Sequence, residues 1–337
     1  MKILVTGAAG RIGRVTVRLL LEQGYQVRGI DRVPDFVLPG LEYTADDVTQ
    51  YAVLREAVRG CDAVIHLAAL PNPFMAPAHE VYRINTQSTF NVYDAAAAEG
   101  IRRIAQASSI NAIGCAWNLG DVLPQYFPLD ENHPLSTNDA YSFSKQTVEE
   151  IGAYFWRREG ISSVSLRFPW VYPEGHLQTD AFRQRQQTNR KLFDELLAMD
   201  EQPRLELLAD VRRRTLEFRA TRPMEKPPVP GSTHRISDEP LWLAYTFDRY
   251  NFWTFIDIRD AAQSLIQGVT ADYQGHYPLF FNDPHNWLDY DTRAIIRLFF
   301  PAVPDIKETL TGSYGLVSIA QAKAILGFEP TFSVLKA

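Results

Sequence analysis

The stretch Thr6-Gly7-Ala8-Ala9-Gly10-Arg11-Ile12-Gly13 lies between an apolar, strand-like run and an amphipathic, helix-like segment. A strand, a glycine-rich turn and a helix in this order form the diphosphate-binding turn of dinucleotide-binding proteins. Gly7 permits the tight turn, Gly10 lets the backbone approach the diphosphate, and Gly13 lets the helix pack closely on the strand. The free N–H groups at the helix N-terminus attract the phosphates. This stretch therefore predicts a dinucleotide-binding turn, and with it the fold.

Strand-like and helix-like segments alternate through the first half of the chain. Apolar runs predict strands at Lys2–Thr6, Gln26–Ile30, Leu41–Ala45, Ala63–Leu67, Arg103–Ala107 and Ser163–Phe168. Amphipathic spacing predicts helices near Gly13–Gln23, Tyr51–Val58, Glu80–Glu99 and Tyr141–Arg158. Such alternation is typical of βαβ units with parallel strands. The predicted fold class is α/β, a Rossmann-type doubly wound parallel sheet with a smaller C-terminal substrate-binding lobe.

The composition of the sequence becomes polar and rich in Arg and Gln after Pro173, and this change predicts a domain division. Residues 1–173 together with 252–270 are expected to form the Rossmann domain. Residues 174–251 and 271–337 are expected to form the substrate-binding lobe.

Three segments of the second half are distinctive. The Arg-rich insertion, Thr179–Arg222, has helical spacing and predicts two surface helices that cap the cleft or contact another subunit. Alternatively, one or two of its arginines bind an anion. The proline-rich segment Pro223–Gly231 is expected to interrupt regular structure. The aromatic run Trp242–Phe255 predicts a strand, and Ile256–Gly268 predicts a helix after it.

Composition excludes several classes of protein. The 337 residues carry 34 basic side chains, of which 27 are arginine and 7 lysine, against 40 acidic ones, so the formal charge is −6. A mildly acidic chain has no broad attraction for a nucleic acid. No long apolar window or leader is present, which predicts a cytoplasmic protein with no membrane contact. Cys61 and Cys115 form no metal-binding or disulfide pattern, so no metal is expected.

Asp31 indicates which dinucleotide binds. It ends the second predicted strand, 18 residues after Gly13. A carboxylate at this place accepts hydrogen bonds from the adenosine ribose and repels a 2′-phosphate, which favours NAD over NADP. The neighbouring Arg32 could accommodate that phosphate and keeps NADP as the second possibility.

Tyr141-Ser-Phe-Ser-Lys145 predicts the chemistry. Residues four apart share one face of a helix, so the phenol and the ammonium point the same way. A nearby ammonium stabilises phenolate and is expected to lower the pKa of Tyr141 toward neutrality. The pair then forms an acid/base that moves a hydroxyl proton. Lysine is rare in this chain, and no second Tyr-x-x-x-Lys occurs.

With these motifs the chain resembles the extended short-chain dehydrogenases/reductases of the NAD-dependent epimerase/dehydratase type. Further segments share the resemblance: Asp47-Val48, His66-Leu-Ala-Ala69, Asn85-Thr-Gln-Ser-Thr89, Ser108-Ser-Ile-Asn-Ala-Ile-Gly114 and Phe255-Ile-Asp-Ile-Arg-Asp260. The resemblance implies that Ser109 hydrogen-bonds the reacting oxygen beside Tyr141 and that Lys145 also holds the nicotinamide ribose. It further implies cofactor contacts from Gly7, Gly10, Arg11, Ile12, Gly13, Asp31, Arg32, Asp47, Val48, Leu67, Ala68, Ala69, Asn85, Phe168 and Pro169.

Two departures from the family pattern narrow the reaction. Ile110-Asn111 stands where the family's dehydratases carry an Asp-Glu pair, so dehydration is not expected. Trp170 stands where nucleotide-sugar enzymes carry an asparagine, and an indole cannot make the hydrogen bonds of an amide. Trp170 could stack on a sugar ring or simply pack in the interior. Asn72, Asn111 and Trp170 are the candidate substrate contacts.

The sequence as a whole predicts an NAD-dependent oxidoreductase that acts on a carbinol of a sugar, sugar acid or related polyol. One alternative is a nucleotide-sugar epimerase that retains its NAD, and another is a non-catalytic NAD(P)-sensing regulator. The resemblance also implies a homodimer, formed through the helices that contain Glu80–Glu99 and Tyr141–Arg158.

Overall fold

The computed structural model describes residues 1–115, 117–223, 237–306 and 310–336. Its strands are β1 (Lys2–Thr6), β2 (Gln26–Asp31), β3 (Leu41–Ala45), β4 (Ala63–His66), β5 (Arg103–Ala107), β6 (Tyr126–Phe127), β7 (Ser162–Arg167), β8 (Trp170–Tyr172), β9 (Phe255–Asp257), β10 (His276–Phe280) and β11 (Asp305–Ile306). Its α-helices are α1 (Arg11–Glu22), α2 (Tyr51–Val58), α3 (Ala78–Ala98), α4 (Ala140–Glu159), α5 (Asp180–Ala198), α6 (Glu201–Ala220), α7 (Pro240–Leu243), α8 (Ile258–Thr270), α9 (Thr292–Phe299) and α10 (Ala320–Leu326). The proline-rich segment after Pro223 lies outside the described residues.

Seven strands form one parallel sheet in the order β10-β7-β5-β4-β1-β2-β3. Strand β1 pairs with β2 on one side and with β4 on the other. The chain therefore reverses its direction of progress through the sheet beside β1, and the loops that follow β1 and β4 diverge there. A crevice at the carboxyl ends of the strands forms at such a switch point. The predicted Rossmann-type fold class is confirmed.

Both faces of the sheet are covered by apolar helix faces. On one face, Val17 and Leu20 of α1 pack with Leu265 of α8, because their spacing places them on one side of each helix. On the other face, Val92 of α3 and Phe155 of α4 form a second buried cluster. A third cluster, rich in aromatic rings, fills the C-terminal lobe.

The aromatic run Trp242–Phe255 is helical instead of the predicted strand. It forms α7, a π-helical turn over Ala244–Asp248 and a 3-10 turn over Arg249–Asn251. Its aromatic rings are buried around the lobe core on more than one side, so burial does not alternate as in a half-exposed strand. The strand that follows is short, β9, and the predicted helix after it is α8.

The predicted domain division needs one correction. Residues 271–337 were assigned to the substrate-binding lobe, but His276–Phe280 is strand β10, which pairs with β7 at the edge of the main sheet. Helix α10 also contributes Ala322 and Leu326 to the apolar cluster under that sheet. The chain thus returns to the first lobe near its end, because β7 still offers an unpaired edge there.

The Arg-rich insertion consists of α5 and α6, as its spacing predicts. Many of its charged side chains lie at the surface; Arg213, for example, is exposed and pairs with Asp210 and Glu217. The prediction of a surface position is wrong for Arg219, which is 1% exposed. Among the described residues, no helix is both long and apolar enough to cross a bilayer.

Candidate active site

A cleft of about 650 Å³ opens at the carboxyl ends of the central strands. With one exception, the residues predicted to bind cofactor or substrate, or to carry the chemistry, line this cleft. They are Gly7, Gly10, Arg11, Ile12, Gly13, Asp31, Arg32, Asp47, Val48, Leu67, Ala68, Ala69, Asn72, Ser109, Asn111, Tyr141, Lys145, Phe168, Pro169 and Trp170. The fold therefore collects residues from distant parts of the sequence around one space.

The exception is Asn85, which does not line the cleft. Its side chain accepts a hydrogen bond from the Leu70 N–H (2.8 Å) and donates to the Leu70 carbonyl (3.2 Å) and to Ser144 Oγ (3.0 Å). Asn85 is 1% exposed. The amide ties the loop after β4 to helix α4, and a direct cofactor contact of Asn85 stays a prediction.

The glycine turn leaves no room for side chains. Gly7 has φ +70°, and a Cβ there would lie 2.7 Å from the Ala68 nitrogen. A Cβ on Gly13 would lie 2.1 Å from the Gly7 oxygen. The N-cap of α1 is Gly10, so no side chain occupies the first N–H groups of the helix. This close backbone cradle with open N–H donors fits the diphosphate of a dinucleotide.

Acidic side chains define the other end of the cofactor region. The carboxylate of Asp31 is held at the end of β2 by the N–H groups of Ala9 (3.1 Å) and Val33 (3.2 Å). Asp47 accepts the Thr49 N–H at 2.9 Å. Burial raises the pKa of Asp47, but hydrogen bonds from Thr49 and the nearby Arg32 bring it below its usual range. Two carboxyl side chains beside the cleft suit the hydroxyls of NAD better than an added phosphate.

The three predicted catalytic side chains come together in the lining of the cleft. Ser109, Tyr141 and Lys145 are each about 5% exposed or less. Ser109 caps a 3-10 turn by accepting the Asn111 N–H at 3.2 Å, and its hydroxyl lies close enough to the Tyr141 phenol to lower the phenol's pKa. Lys145 Nζ donates to the Ala107 carbonyl at 3.0 Å and lies 5.9 Å from the centroid of the Tyr141 ring.

The protonation of this group is governed by burial. Burial raises the pKa of Tyr141 to about 12, although the nearby Ser109 hydroxyl acts against it. Burial lowers the pKa of Lys145 to about 8, against the attraction of Glu149. The expectation that the ammonium lowers the pKa of Tyr141 is thus wrong for the protein without ligands. The desolvation of the phenol is the larger effect.

A prediction follows for Lys145→Met in the NAD-free protein. The Lys145 pKa falls from 10.5 unfolded to about 8 folded, so the buried ammonium destabilises the fold below pH 8. Between pH 8 and 10.5 the unfolded chain binds more protons, and wild-type stability rises with pH. We expect the variant to be more stable at pH 7 by about 3 kcal/mol and the gain to shrink by pH 10. Urea unfolding at the two pH values measures this.

The control for this experiment is Lys191→Met, whose side chain is 80% exposed. Its free energy of unfolding should stay within about 0.5 kcal/mol of wild type at both pH values. A Lys145→Met protein that is less stable than wild type at pH 7 would contradict the assignment of a buried, costly ammonium.

Two further residues line the cleft: Trp117 ends the segment Ile110–Trp117, which the sequence predicts to line it, whereas Asn251 escaped sequence reasoning. Trp117 contributes part of the wall, and its ring meets Phe74 (5.4 Å between centroids) and Phe247 (6.3 Å) edge to face. Asn251 reaches the cleft from the C-terminal lobe. Neither belongs to a motif, because each is placed by contacts between segments far apart in the sequence. One indirect signal in the sequence indicates that the second half of the chain contributes to the cleft: the Arg-rich insertion, which predicted a cap near it.

Trp170 is half-buried and lies between the cleft and the insertion. The guanidinium carbon of Arg185, on α5, lies 5.5 Å from the Trp170 ring centroid and 4.4 Å from that of Trp287. Arg185 also pairs with the buried Asp248 at 2.8 Å. The indole is thus supported by a cation while it lines the cleft.

A parallel sheet with a glycine cradle and a buried Ser–Tyr–Lys group defines a dinucleotide-dependent oxidoreductase of the extended short-chain type. The profile of the NAD dependent epimerase/dehydratase family matches residues 3–208. The chain belongs to this family and is an NAD-dependent enzyme.

Known proteins with similar sequences include two sugar dehydrogenases. The L-arabinose 1-dehydrogenase (NAD(P)(+)) of Haloferax volcanii is 35% identical over 176 residues, which are 50% of this chain and 67% of that protein. The uronate dehydrogenase of Pseudomonas syringae is 26% identical over 206 residues, 60% of this chain and 67% of that protein. About a third of either relative therefore lies outside the match.

A similar solved structure is that of a short-chain dehydrogenase/reductase superfamily protein from Agrobacterium tumefaciens with bound NAD. Its TM-score is 0.61 at 22% identity, and the match covers 100% of this chain and 94% of that one. This structural match establishes the shared fold.

Proposed function

We propose that the protein oxidises a carbinol of a sugar, sugar acid or related polyol, with Tyr141 as the acid/base. The observation that carries the proposal is the buried Ser109–Tyr141–Lys145 group at one end of a cleft whose other end fits NAD. The names of the relatives, an arabinose dehydrogenase and a uronate dehydrogenase, support the substrate class. The cofactor is NAD, with NADP less favoured because of Asp31.

Each of the three side chains has a distinct role. NAD, when bound, accepts a hydride. Tyr141 takes the proton of the substrate hydroxyl, and Ser109 donates a hydrogen bond to the same oxygen and orients it. Lys145 supplies positive charge beside the phenol. Because burial keeps the pKa of Tyr141 at about 12, the phenol is protonated at neutral pH. The phenol must lose its proton before it can accept that of the alcohol, so we expect the oxidation rate to rise from pH 7 toward pH 8, where Lys145 begins to lose its own charge.

The substrate end supports a sugar-like ligand. Asn72 and Asn111 bring amide groups to the cleft, and Trp117 and Trp170 bring aromatic rings. Amides hydrogen-bond hydroxyl groups, while indole faces pack against the C–H face of a pyranose or furanose. Within the described part of the chain, the buried side-chain oxygen of Asn111 has no hydrogen-bond partner, which leaves it available to a ligand hydroxyl.

The test is turnover of purified protein with NAD and a panel of substrates at pH 7 and pH 8. The panel pairs each neutral aldose with its uronate and its nucleotide-linked form. Net formation of NADH with a free sugar or sugar acid supports the proposal. Isomerisation of a nucleotide sugar without release of NADH indicates the epimerase instead. NAD binding with no turnover of any member favours a cofactor-sensing regulator.

We further propose a homodimer through helices α3 and α4, in a reducing cytoplasmic compartment. The two helices pack side by side and leave large apolar side chains in solvent: Phe90 is 41%, Phe143 47% and Tyr154 39% exposed. A second copy that packs its own α3 and α4 on this surface would cover them. Cys61 and Cys115 are free thiols, which suits a reducing compartment.

Phe90→Glu tests the dimer. A charge in the centre of the covered surface should shift the protein to monomer, because burying it without a partner is costly. Light scattering after size-exclusion chromatography measures the mass. Val37→Glu, at a position 84% exposed and away from both helices, should leave the mass unchanged. If wild-type protein elutes as a monomer at micromolar concentration, the dimer proposal fails.

A further inference from the structure

The end of the Arg-rich insertion is buried against the wall of the cleft. Arg219 lies in the last turn of α6 and is 1% exposed. Its guanidinium donates to the Asn118 carbonyl (2.7 Å) and to the Thr246 carbonyl (3.2 Å), and lies 3.8 Å from the centroid of the Tyr250 ring. Burying a guanidinium is costly, and directed hydrogen bonds of this kind give it one defined position.

Asn118 in turn hydrogen-bonds the segment that precedes helix α4. Its side chain donates to the Ser136 carbonyl (3.2 Å) and accepts the Asn138 N–H (3.0 Å). Asp139, which follows Asn138 in the chain, is the N-cap of α4 and accepts an N–H of that helix's first turn at 2.8 Å. Tyr141 follows two positions later. The buried arginine is therefore joined, through one asparagine, to the start of the helix that carries the acid/base.

The same loop is fastened a second time at Asp121. This carboxylate is 5% exposed on its side chain and accepts hydrogen bonds from Arg249 (2.8 Å), Arg212 (2.8 Å) and the Tyr250 hydroxyl (2.9 Å). Burial raises the pKa of Asp121, but Arg249 and the other donors lower it to about 2, so it is ionised at neutral pH. Arg212 belongs to α6, so the insertion holds the loop at two points.

Trp117 lies between the cleft and the two fastened residues, Asn118 and Asp121. It directly precedes Asn118, lines the cleft and packs against the small apolar cluster that contains Tyr141. Its ring also bridges the lobes, since Phe74 lies in the loop after β4 and Phe247 in the C-terminal lobe. Phe247 in turn meets Trp242, which meets Phe218 of α6. The insertion thus supports the indole both through Asn118 and through a row of rings.

We propose that Arg219 is a positioning residue for the substrate end of the cleft. By holding Asn118 it fixes Trp117 in the cleft wall and steadies the first turn of α4, so the insertion tunes the affinity for substrate without touching it. The expected change in the KM for substrate rests on the proposed function, the oxidation of a sugar-type carbinol. The glycine cradle lies on the other side of the cleft and does not depend on these contacts.

The test is Arg219→Lys in the full chain. Lysine keeps the positive charge, but its single ammonium cannot reproduce the planar fork that reaches both carbonyls. We expect the KM for the sugar substrate to rise about tenfold while kcat stays within about threefold and the NAD dissociation constant is unchanged. Hydrogen–deuterium exchange of a peptide covering residues 117–123 should become faster. Arg213→Lys, on the exposed side of the same helix, should change none of these.

The outcomes separate the two proposals. A folded Arg219→Lys protein with unchanged KM and unchanged exchange overturns the inference, and so does an equal loss of NAD affinity, kcat and substrate affinity. If the variant does not fold, Phe247→Leu removes the ring contact with Trp117 and should show the same split; an unchanged KM there also overturns it. If no sugar is oxidised, the proposed function has failed, while the exchange of residues 117–123 still decides the role of Arg219.

Discussion

Tyr141→Phe should reduce kcat for carbinol oxidation about 1,000-fold and leave the NAD dissociation constant within about threefold of wild type. The variant removes the one oxygen that can take the substrate proton, while the ring, which is 4% exposed, keeps its packing. Loss of the polar contact between the phenol and Ser109 should lower the free energy of unfolding by only about 1 kcal/mol. Steady-state kinetics with the substrate found in the panel, together with calorimetric titration of NAD, measures both quantities.

The matched control is Tyr51→Phe. That hydroxyl donates to Asp94 at the surface, and the residue is 41% exposed, so kcat and KM should not change. If turnover by Tyr141→Phe equals that of wild type, Tyr141 is not the acid/base and the regulator hypothesis gains support. Ser109→Ala should show a smaller loss, about 100-fold, because Tyr141 remains to move the proton.

Gly13→Ala should abolish useful NAD binding. The added Cβ would lie 2.1 Å from the Gly7 oxygen and 2.9 Å from the Ala8 oxygen, and both are backbone atoms that cannot turn aside. Either the glycine turn or helix α1 must therefore move, and the cradle for the diphosphate is lost. We expect at least a 100-fold weaker NAD affinity and a destabilisation of about 3 kcal/mol.

The measurement is thermal unfolding with and without NAD. A ligand that binds the native state at 100 times its dissociation constant stabilises it by about 2.7 kcal/mol, so the wild-type Tm should rise with NAD and the Gly13→Ala Tm should not. Gly120→Ala serves as the control, because a Cβ there meets no atom within 4 Å. An equal rise in Tm for Gly13→Ala and wild type would show that the dinucleotide binds elsewhere.

Much of the first lobe could be predicted because its signals are local. The periodicity around β1 to β5 placed those strands to within a residue or two of their observed bounds. The glycine turn and the Tyr141/Lys145 pair also depend on residues that are close in sequence: a turn needs glycine at fixed positions, and one helical turn joins the phenol to the amine. Such rules hold whatever the rest of the chain does.

Prediction was poorer where the C-terminal lobe folds over the cleft. The aromatic run Trp242–Phe255 has the composition of a strand, but its rings fill a core with no exposed face, and the backbone forms helical turns instead. Asn85 matched a motif, but the motif did not show that its amide hydrogen-bonds Leu70 and Ser144. In both cases the partners come from other parts of the chain, and single-segment patterns do not contain them.

The sequence by itself determined the fold class, the turn that suits a dinucleotide and the choice of Tyr141 as the proposed acid/base, because each follows from residue type and short spacing. The tertiary structure alone decided the pKa values of Tyr141 and Lys145. Desolvation depends on what surrounds these side chains in space, and it is the largest effect on both pKa values. The tertiary structure also decided that Asn251 reaches the cleft from the C-terminal lobe and that Arg219, in a largely surface-exposed helix, is buried. Burial is a property of the packed chain, and the glycine turn Thr6–Gly13 gains its function only when that packing forms the cleft around it.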